Sequence, residues 1–153
     1  MTNLCCDVLK HLEGKTLATA ESCTGGGIGA ALTAIPGSSA VYKGGIISYT
    51  NWVKQNLLNV DEGLLETLGA VSAPVARAMA VGARKALQAD IAVSVTGLAG
   101  PGADEFGNPV GRVYIGYADE RICTALEFTF SGDRDAVRKQ AAEEALKLVL
   151  SYN

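Results

Sequence analysis

Apolar residues recur at two spacings along this chain, and the alternation between those spacings lays out its elements. Leu4, Cys5, Val8, Leu9 and Leu12 return every three or four positions, as on one face of an α-helix, and Gly14 supplies a stop. TLATAE, residues 16–21, is a short apolar run that predicts a buried strand. Beyond three glycines, Ile28 to Ile35 reads as helix and Pro36-Gly37 ends it. VYKGGIISYT predicts a second strand whose glycines mark a bulge or a close backbone approach.

One or two short helices are expected between Asn51 and Leu68. Ser72 is a good N-cap, Pro74 is tolerated in the first turn, and Val75, Met79, Gly82, Ala83 and Leu87 form one face of a longer helix. DIAVSVTG is a continuous apolar run suited to a central strand covered on both sides. RVYIGYADERICTALEFTF predicts two strands around a tight turn at Asp119-Glu120, which forces one of them antiparallel to its neighbour. A last helix runs from Asp133 to about Leu150, with Val137, Ala141, Ala145 and Leu148 on its buried stripe. Strands alternating with helices and followed by a hairpin predict an α/β fold: a three-layer α/β/α sandwich on a mixed, mostly parallel sheet of about five strands. The 153 residues suit one domain with one real core.

Composition narrows the partners. Hydrophobic residues make up 48% and charged residues 19%, values of a globular domain, and the net charge of −3 leaves no basic footprint for nucleic acid or an anionic membrane. The N-terminus shows no basic segment leading into a long apolar run, and no stretch is long enough to span a bilayer, so a cytoplasmic protein is expected. Cys5, Cys6, Cys23 and Cys123 show no paired spacing and are expected as free thiols. The one histidine, His11, falls on the first helix, where an exposed position is expected; no zinc site is expected around it.

Chemistry concentrates in three loops, SCTGGG, YTNWVK and TGLAGPG, each at the carboxyl end of a predicted strand, where ligands bind in open α/β sheets. Ser22 falls between a strand and a helix whose free N–H groups favour an anion. Glycines 25–27 admit close approach, so the loop suits a phosphate or the oxyanion formed when a serine attacks a carbonyl, with donors drawn from the amides of Cys23 to Gly26. It equally suits a plain helix cap by Ser22 or Thr24.

A serine nucleophile needs a base, and His11 is remote. A lysine serves if burial lowers its pKa; Lys54, five residues after Tyr49, is better placed than Lys43 at the start of its strand, although most lysines are solvated surface residues. Arg134 in the first turn of the last helix opposes the helix dipole, so either an anionic ligand or Asp133 and Asp135 compensate it. Arg138, one turn on, could share a phosphate with it. Thr96 suits a hydrogen bond to substrate or to the loop backbone. Trp52 suits a subunit contact, a core position or a pocket wall.

Four long segments, TAESCTGGGIGAALTAIPGSSAVYKGGIISYTNWVKQNLL, GAVSAPVARAMAVGAR, VTGLAGPGADEFGNPVGRVYIG and FSGDRDAVRKQAAEEAL, resemble the C-terminal domain of the CinA family, which includes stand-alone nicotinamide-nucleotide amidases. The likeness spans about residues 16–150. It implies hydrolysis of the carboxamide of nicotinamide mononucleotide to nicotinic acid mononucleotide and ammonia, in pyridine nucleotide salvage, by a serine/lysine mechanism without metal or cofactor. It implies Ser22 as nucleophile, Lys54 as base and Tyr49 in the catalytic set, with Thr96 and Arg134 or Arg138 at the nucleotide; the loop reading adds Thr24, Gly25, Gly26 and Gly97 as expected binding residues. A homo-oligomer is a further family-level expectation. Longer members carry an N-terminal domain linked to pyrophosphatase activity, and that activity is not expected of these residues. ADEFGN after Pro101 departs from the commoner pattern. Two alternatives stand beside the serine/lysine reading: an amidase using Cys23, whose thiol would gain from a helix N-terminus, and a nucleotide-binding or interaction module without turnover.

Overall fold

Small residues on one sheet face and branched ones on the other decide how the layers stack. The computed structural model describes residues 1–153. Its elements are α1 (Thr2–His11), β1 (Leu17–Glu21), α2 (Gly27–Thr33), β2 (Tyr42–Ile47), α3 (Asn51–Leu58), α4 (Glu62–Thr67), α5 (Ala73–Leu87), β3 (Ile91–Gly97), β4 (Arg112–Ala118), β5 (Cys123–Thr129) and α6 (Arg134–Tyr152). The strand order is β2-β1-β3-β4-β5. β2, β1 and β3 pair in parallel, while β4 runs antiparallel to both its neighbours, so it alone opposes the common direction. The sheet is mixed, and its parallel core is β2-β1-β3.

Leu17, Ile91, Val93, Val95, Val113, Ile115 and Tyr117 face one layer, where they pack with Cys5 and Val8 of α1, Ile28 and Leu32 of α2 and Val137, Ala141 and Leu148 of α6. The opposite face carries Ala18, Ala20 and Ala92 beneath Leu58 of α3, Leu65 of α4 and Val75, Met79 and Ala83 of α5. Its short side chains let α5 settle close to the sheet: a Cβ on Gly116 would lie 2.3 Å from the Ala76 carbonyl oxygen. The same carbonyl accepts from Ser94 Oγ at 2.6 Å.

The expected bulge in β2 is present, with Lys43 left over between the Leu17–Tyr42 and Ala18–Gly44 pairs. Gly45 meets the neighbouring strand where a Cβ would fall 2.2 Å from Thr19 Oγ1. Ser72 occupies the N-cap position of α5 without capping; its hydroxyl donates to the Gly69 carbonyl instead. Pro74, second residue of the helix, has no N–H to offer that hydroxyl. His11 is exposed in the last turn of α1. No helix is long and apolar enough to cross a membrane.

Gly82 sets the seat of α3. A Cβ there would lie 2.0 Å from the backbone oxygen of Leu58, so α3 docks against bare α5 backbone. Alanine is worth about 1 kcal/mol over glycine in a helix interior, but overlap with a backbone carbonyl costs about 1–3 kcal/mol and wins. Gly82→Ala therefore lowers the midpoint of urea unfolding; a midpoint at or above wild type would mean that α3 yields freely.

Candidate active site

Because β1 is central and leads into α2 on one face, while β2 leads into α3 on the other, the loops at their carboxyl ends part around a crevice, the usual ligand position of such sheets. A cleft of about 370 Å³ opens there, walled by Ser22 and Cys23 after β1, Tyr49, Asn51 and Lys54 after β2, and Thr96 to Gly100 at the end of β3, with Ala70, Val71 and Arg134 at its sides. No carboxylate lines it.

Lys54 reaches the cleft from within. Thr50 caps α3 through Val53 N–H, which turns the first helical face inward and leaves Lys54 only 1% exposed. Its Nζ lies 2.9 Å from Ser22 Oγ, 2.7 Å from the Ser48 carbonyl oxygen and 3.4 Å from that of Tyr49. It forms no ion pair. Burial without an acidic partner disfavours the ammonium form and lowers its pKa to about 8. In the neutral amine two N–H bonds can serve the two carbonyls, and the remaining lone pair then points at the Ser22 hydroxyl. That is the geometry of a general base beside a nucleophile.

Cys23 is the reverse case. Burial pushes its thiol up to about 11, so the lowered value anticipated for a thiol at a helix N-terminus is not found. The helix start is already occupied. Glu21, itself buried, accepts from Ile28 N–H at 2.9 Å and Gly29 N–H at 3.0 Å through its two oxygens, and from Thr24 Oγ1 at 2.7 Å. Neither Ser22 nor Thr24 caps α2, and the free N–H groups expected to draw a phosphate there are saturated by the chain's own carboxylate. Glu21 was the residue the sequence argument missed; a lone acid at the end of an apolar strand, just before a glycine turn and a helix, was the available signal.

Thr24, Gly25, Gly26 and Arg138, expected at the nucleotide, do not line the cleft. Arg138 lies behind the loop, donating from Nε to the Cys23 carbonyl at 2.9 Å and from its terminal nitrogen to that of Thr24 at 3.2 Å. Arg134, exposed at the rim, donates to the Gly100 carbonyl at 2.8 Å and to the Tyr49 hydroxyl at 3.1 Å. Asp133 and Asp135 do not neutralise it: the first caps Ala136 N–H and the second pairs with Lys139. Thr96 donates to the Ala70 carbonyl at the cleft wall, and Gly97 follows it. Lys43 is remote, bound to the Gln88 carbonyl. Trp52 is exposed.

The sequence model of the CinA C-terminal domain matches residues 2–152. The chain belongs to the CinA C-terminal domain family. It is 51% identical over 145 residues to a CinA-like protein of Geobacter sp. (strain M21), and 52% identical over 147 residues to one of Synechococcus sp. (strain RCC307). Those alignments cover 95% and 93% of this chain but 35% of each relative, so the chain spans about a third of the length of the curated CinA-like proteins it matches. Among solved structures, a CinA superfamily protein of Klebsiella pneumoniae is similar with a TM-score of 0.95 and 34% identity, covering 98% of this chain and 95% of that one. One from Escherichia coli gives 0.96 and 33%, covering 99% and 90%.

The depressed Lys54 pKa links to stability. Between about 8 and the ordinary lysine value near 10.5 the unfolded chain holds the extra proton, so wild-type stability rises with pH across that window. Lys54→Met carries no such slope. The difference in unfolding free energy between the two proteins should shift by about 2–3 kcal/mol in favour of wild type from pH 7 to pH 10. Urea titrations at both values check it, and a constant difference would mean an ordinary, solvated lysine.

Proposed function

We propose that this CinA-family chain is an amidohydrolase that removes the carboxamide nitrogen of nicotinamide mononucleotide as ammonia, leaving nicotinic acid mononucleotide. The observation that carries this reading is the 2.9 Å contact between the buried Lys54 amine and the Ser22 hydroxyl at the floor of an acid-free cleft.

Ser22 Oγ attacks the amide carbon as its proton passes to the neutral Lys54 Nζ. The carbonyl oxygen becomes an oxyanion facing the turn after β1, where Cys23 N–H and Thr24 N–H have no other residue as acceptor. The Lys54 ammonium then protonates the amide nitrogen, the C–N bond breaks, ammonia leaves and an ester to Ser22 remains. Water adds to that ester, giving its proton to Lys54, and the proton returns to Ser22 Oγ as the acid departs. One amide and one water become one acid and one ammonia, with the lysine unchanged. Arg134, the one other cation of the cleft, holds the phosphate at the rim; the Thr96-Gly97 backbone and the Tyr49 ring flank the pyridine.

The serine is favoured over Cys23 because the lysine contacts the hydroxyl, while burial keeps the thiol protonated. Ammonia release by purified protein, with product identification, tests the assignment. Ser22→Ala and Lys54→Met should each lower kcat/KM by at least about 10²–10⁴-fold, whereas Cys23→Ala should keep most of the activity. Arg134→Ala should act mainly on KM, by about 10- to 100-fold for a charge-assisted contact. The wild-type rate should climb with pH through an apparent pKa near 8 as Lys54 loses its proton. Activity that survives Ser22→Ala and vanishes in Cys23→Ala would overturn the mechanism. Binding of the mononucleotide without ammonia release would make the domain a binding module.

A further inference from the structure

The turn that carries Ser22 contains one peptide, Cys23–Thr24, whose orientation the turn's own hydrogen bonds leave open. Ser22 N–H is held by the Val95 carbonyl and Gly25 N–H by the Ser22 carbonyl, closing a tight turn over Cys23 and Thr24. Cys23 N–H and Thr24 N–H, the two amides inside it, meet no acceptor from any other residue. The direction of each is nevertheless set through the carbonyl of its own peptide. A trans peptide points its C=O and N–H in opposite senses. The Ser22 carbonyl, antiparallel to Cys23 N–H, is tied by Gly25. The Cys23 carbonyl, antiparallel to Thr24 N–H, has one partner only, the Arg138 guanidinium. Arg138 holds the next carbonyl too, that of Thr24, which also accepts from Gly27 N–H. A flip of the Cys23–Thr24 peptide would therefore meet little resistance from the turn and would turn a carbonyl oxygen toward the side on which negative charge develops.

We infer that Arg138 is a positioning residue that locks the Cys23–Thr24 peptide with its N–H facing away from α6, so that the oxyanion donors beside Ser22 are preformed before substrate arrives. This rests on the amidohydrolase reading of the same cleft. Arg138 touches no substrate: it is absent from the cleft wall, and both its carbonyl partners belong to the turn. The two arginines one turn apart on α6 thus divide their work, Arg134 at the rim and Arg138 behind the nucleophile. Preformed donors matter because an oxyanion site that must reorganise during the reaction loses most of its advantage.

The test compares Arg138→Ala and Arg138→Lys with wild type in two measurements. In steady-state hydrolysis of nicotinamide mononucleotide, Arg138→Ala should lower kcat about 10²-fold, the size of losing one oxyanion donor, while KM and the pH limb near 8 stay in place. Arg138→Lys, which keeps the charge but cannot fork onto both carbonyls, should fall between. In the second measurement a fluorophosphonate probe reacts with Ser22: the Oγ–P bond forms, the P–F bond breaks, fluoride leaves and the serine proton goes to Lys54. Its phosphoryl oxygen takes the oxyanion position, so labelling followed by mass spectrometry should slow in the same order as kcat.

A rise in KM with kcat unchanged would assign Arg138 to the substrate and overturn the inference, as would wild-type kcat and labelling in both variants. Should the alanine variant fail to fold, the lysine variant decides: wild-type kcat and labelling rate in it overturn the inference. If wild type labels at Ser22 but releases no ammonia from the mononucleotide, the substrate assignment fails, and the labelling rates still judge Arg138. A wild-type Ser22 that neither turns over nor labels removes both.

Discussion

The site depends on keeping a lysine amine out of water without giving it an acid. Lys54 is closed off by the floor of the cleft, and the groups its Nζ meets are two carbonyl oxygens and a hydroxyl. A carboxylate at the same distance would restore the ammonium form and remove the base. Carbonyls accept more strongly from an ammonium than from an amine, so the two contacts orient the nitrogen and offset only part of the burial that lowers its proton affinity. The packing that buries it is local and specific: α3 is drawn against α5 at Gly82, and α5 against the sheet at Gly116.

Charge elsewhere around the cleft is arranged so that the chain satisfies its own helix terminus and leaves other donors free. Glu21 absorbs the first amides of α2 together with the Thr24 hydroxyl. An anion is therefore offered the rim arginine and the turn amides rather than the helix end. On the proposed reading, that division sets acyl chemistry next to Ser22 and anion recognition at the Arg134 rim, matching a substrate with a carboxamide at one end and a phosphate at the other.

Much of the fold was legible because apolar periodicity reports burial, and burial is what selects helix or strand here. Each α-helix and strand lies near where its spacing put it, and the β2 glycines mark both a bulge and a close approach; which strand of the hairpin runs against the rest, β4, and the 3-10 turn at Ser38–Ala40 were not legible. Ser72 misled as a cap because an N-cap preference is an average, and the proline two positions on removed one of its partners. In the site, Ser22, Lys54, Thr96 and the Arg134/Arg138 pair were singled out from loop position and chemistry and Tyr49 from the family resemblance; all but Arg138 line one cleft. Arg138, offered for a phosphate, holds turn carbonyls instead, and Glu21 was not singled out at all, since residue type alone does not say whether an arginine or a glutamate faces ligand or backbone.

The linear order of residues determined which segments become strands and helices, and that three loops rich in glycine and hydroxyls end on one edge of the sheet, because those outcomes follow from local spacing and turn chemistry. Tertiary structure alone decided which lysine loses its water, which arginine faces the cleft and which peptide carbonyls are held from behind. Those depend on what surrounds a group in three dimensions, and partners 32 residues apart for Lys54 and 115 apart for Arg138 are beyond the reach of any local pattern.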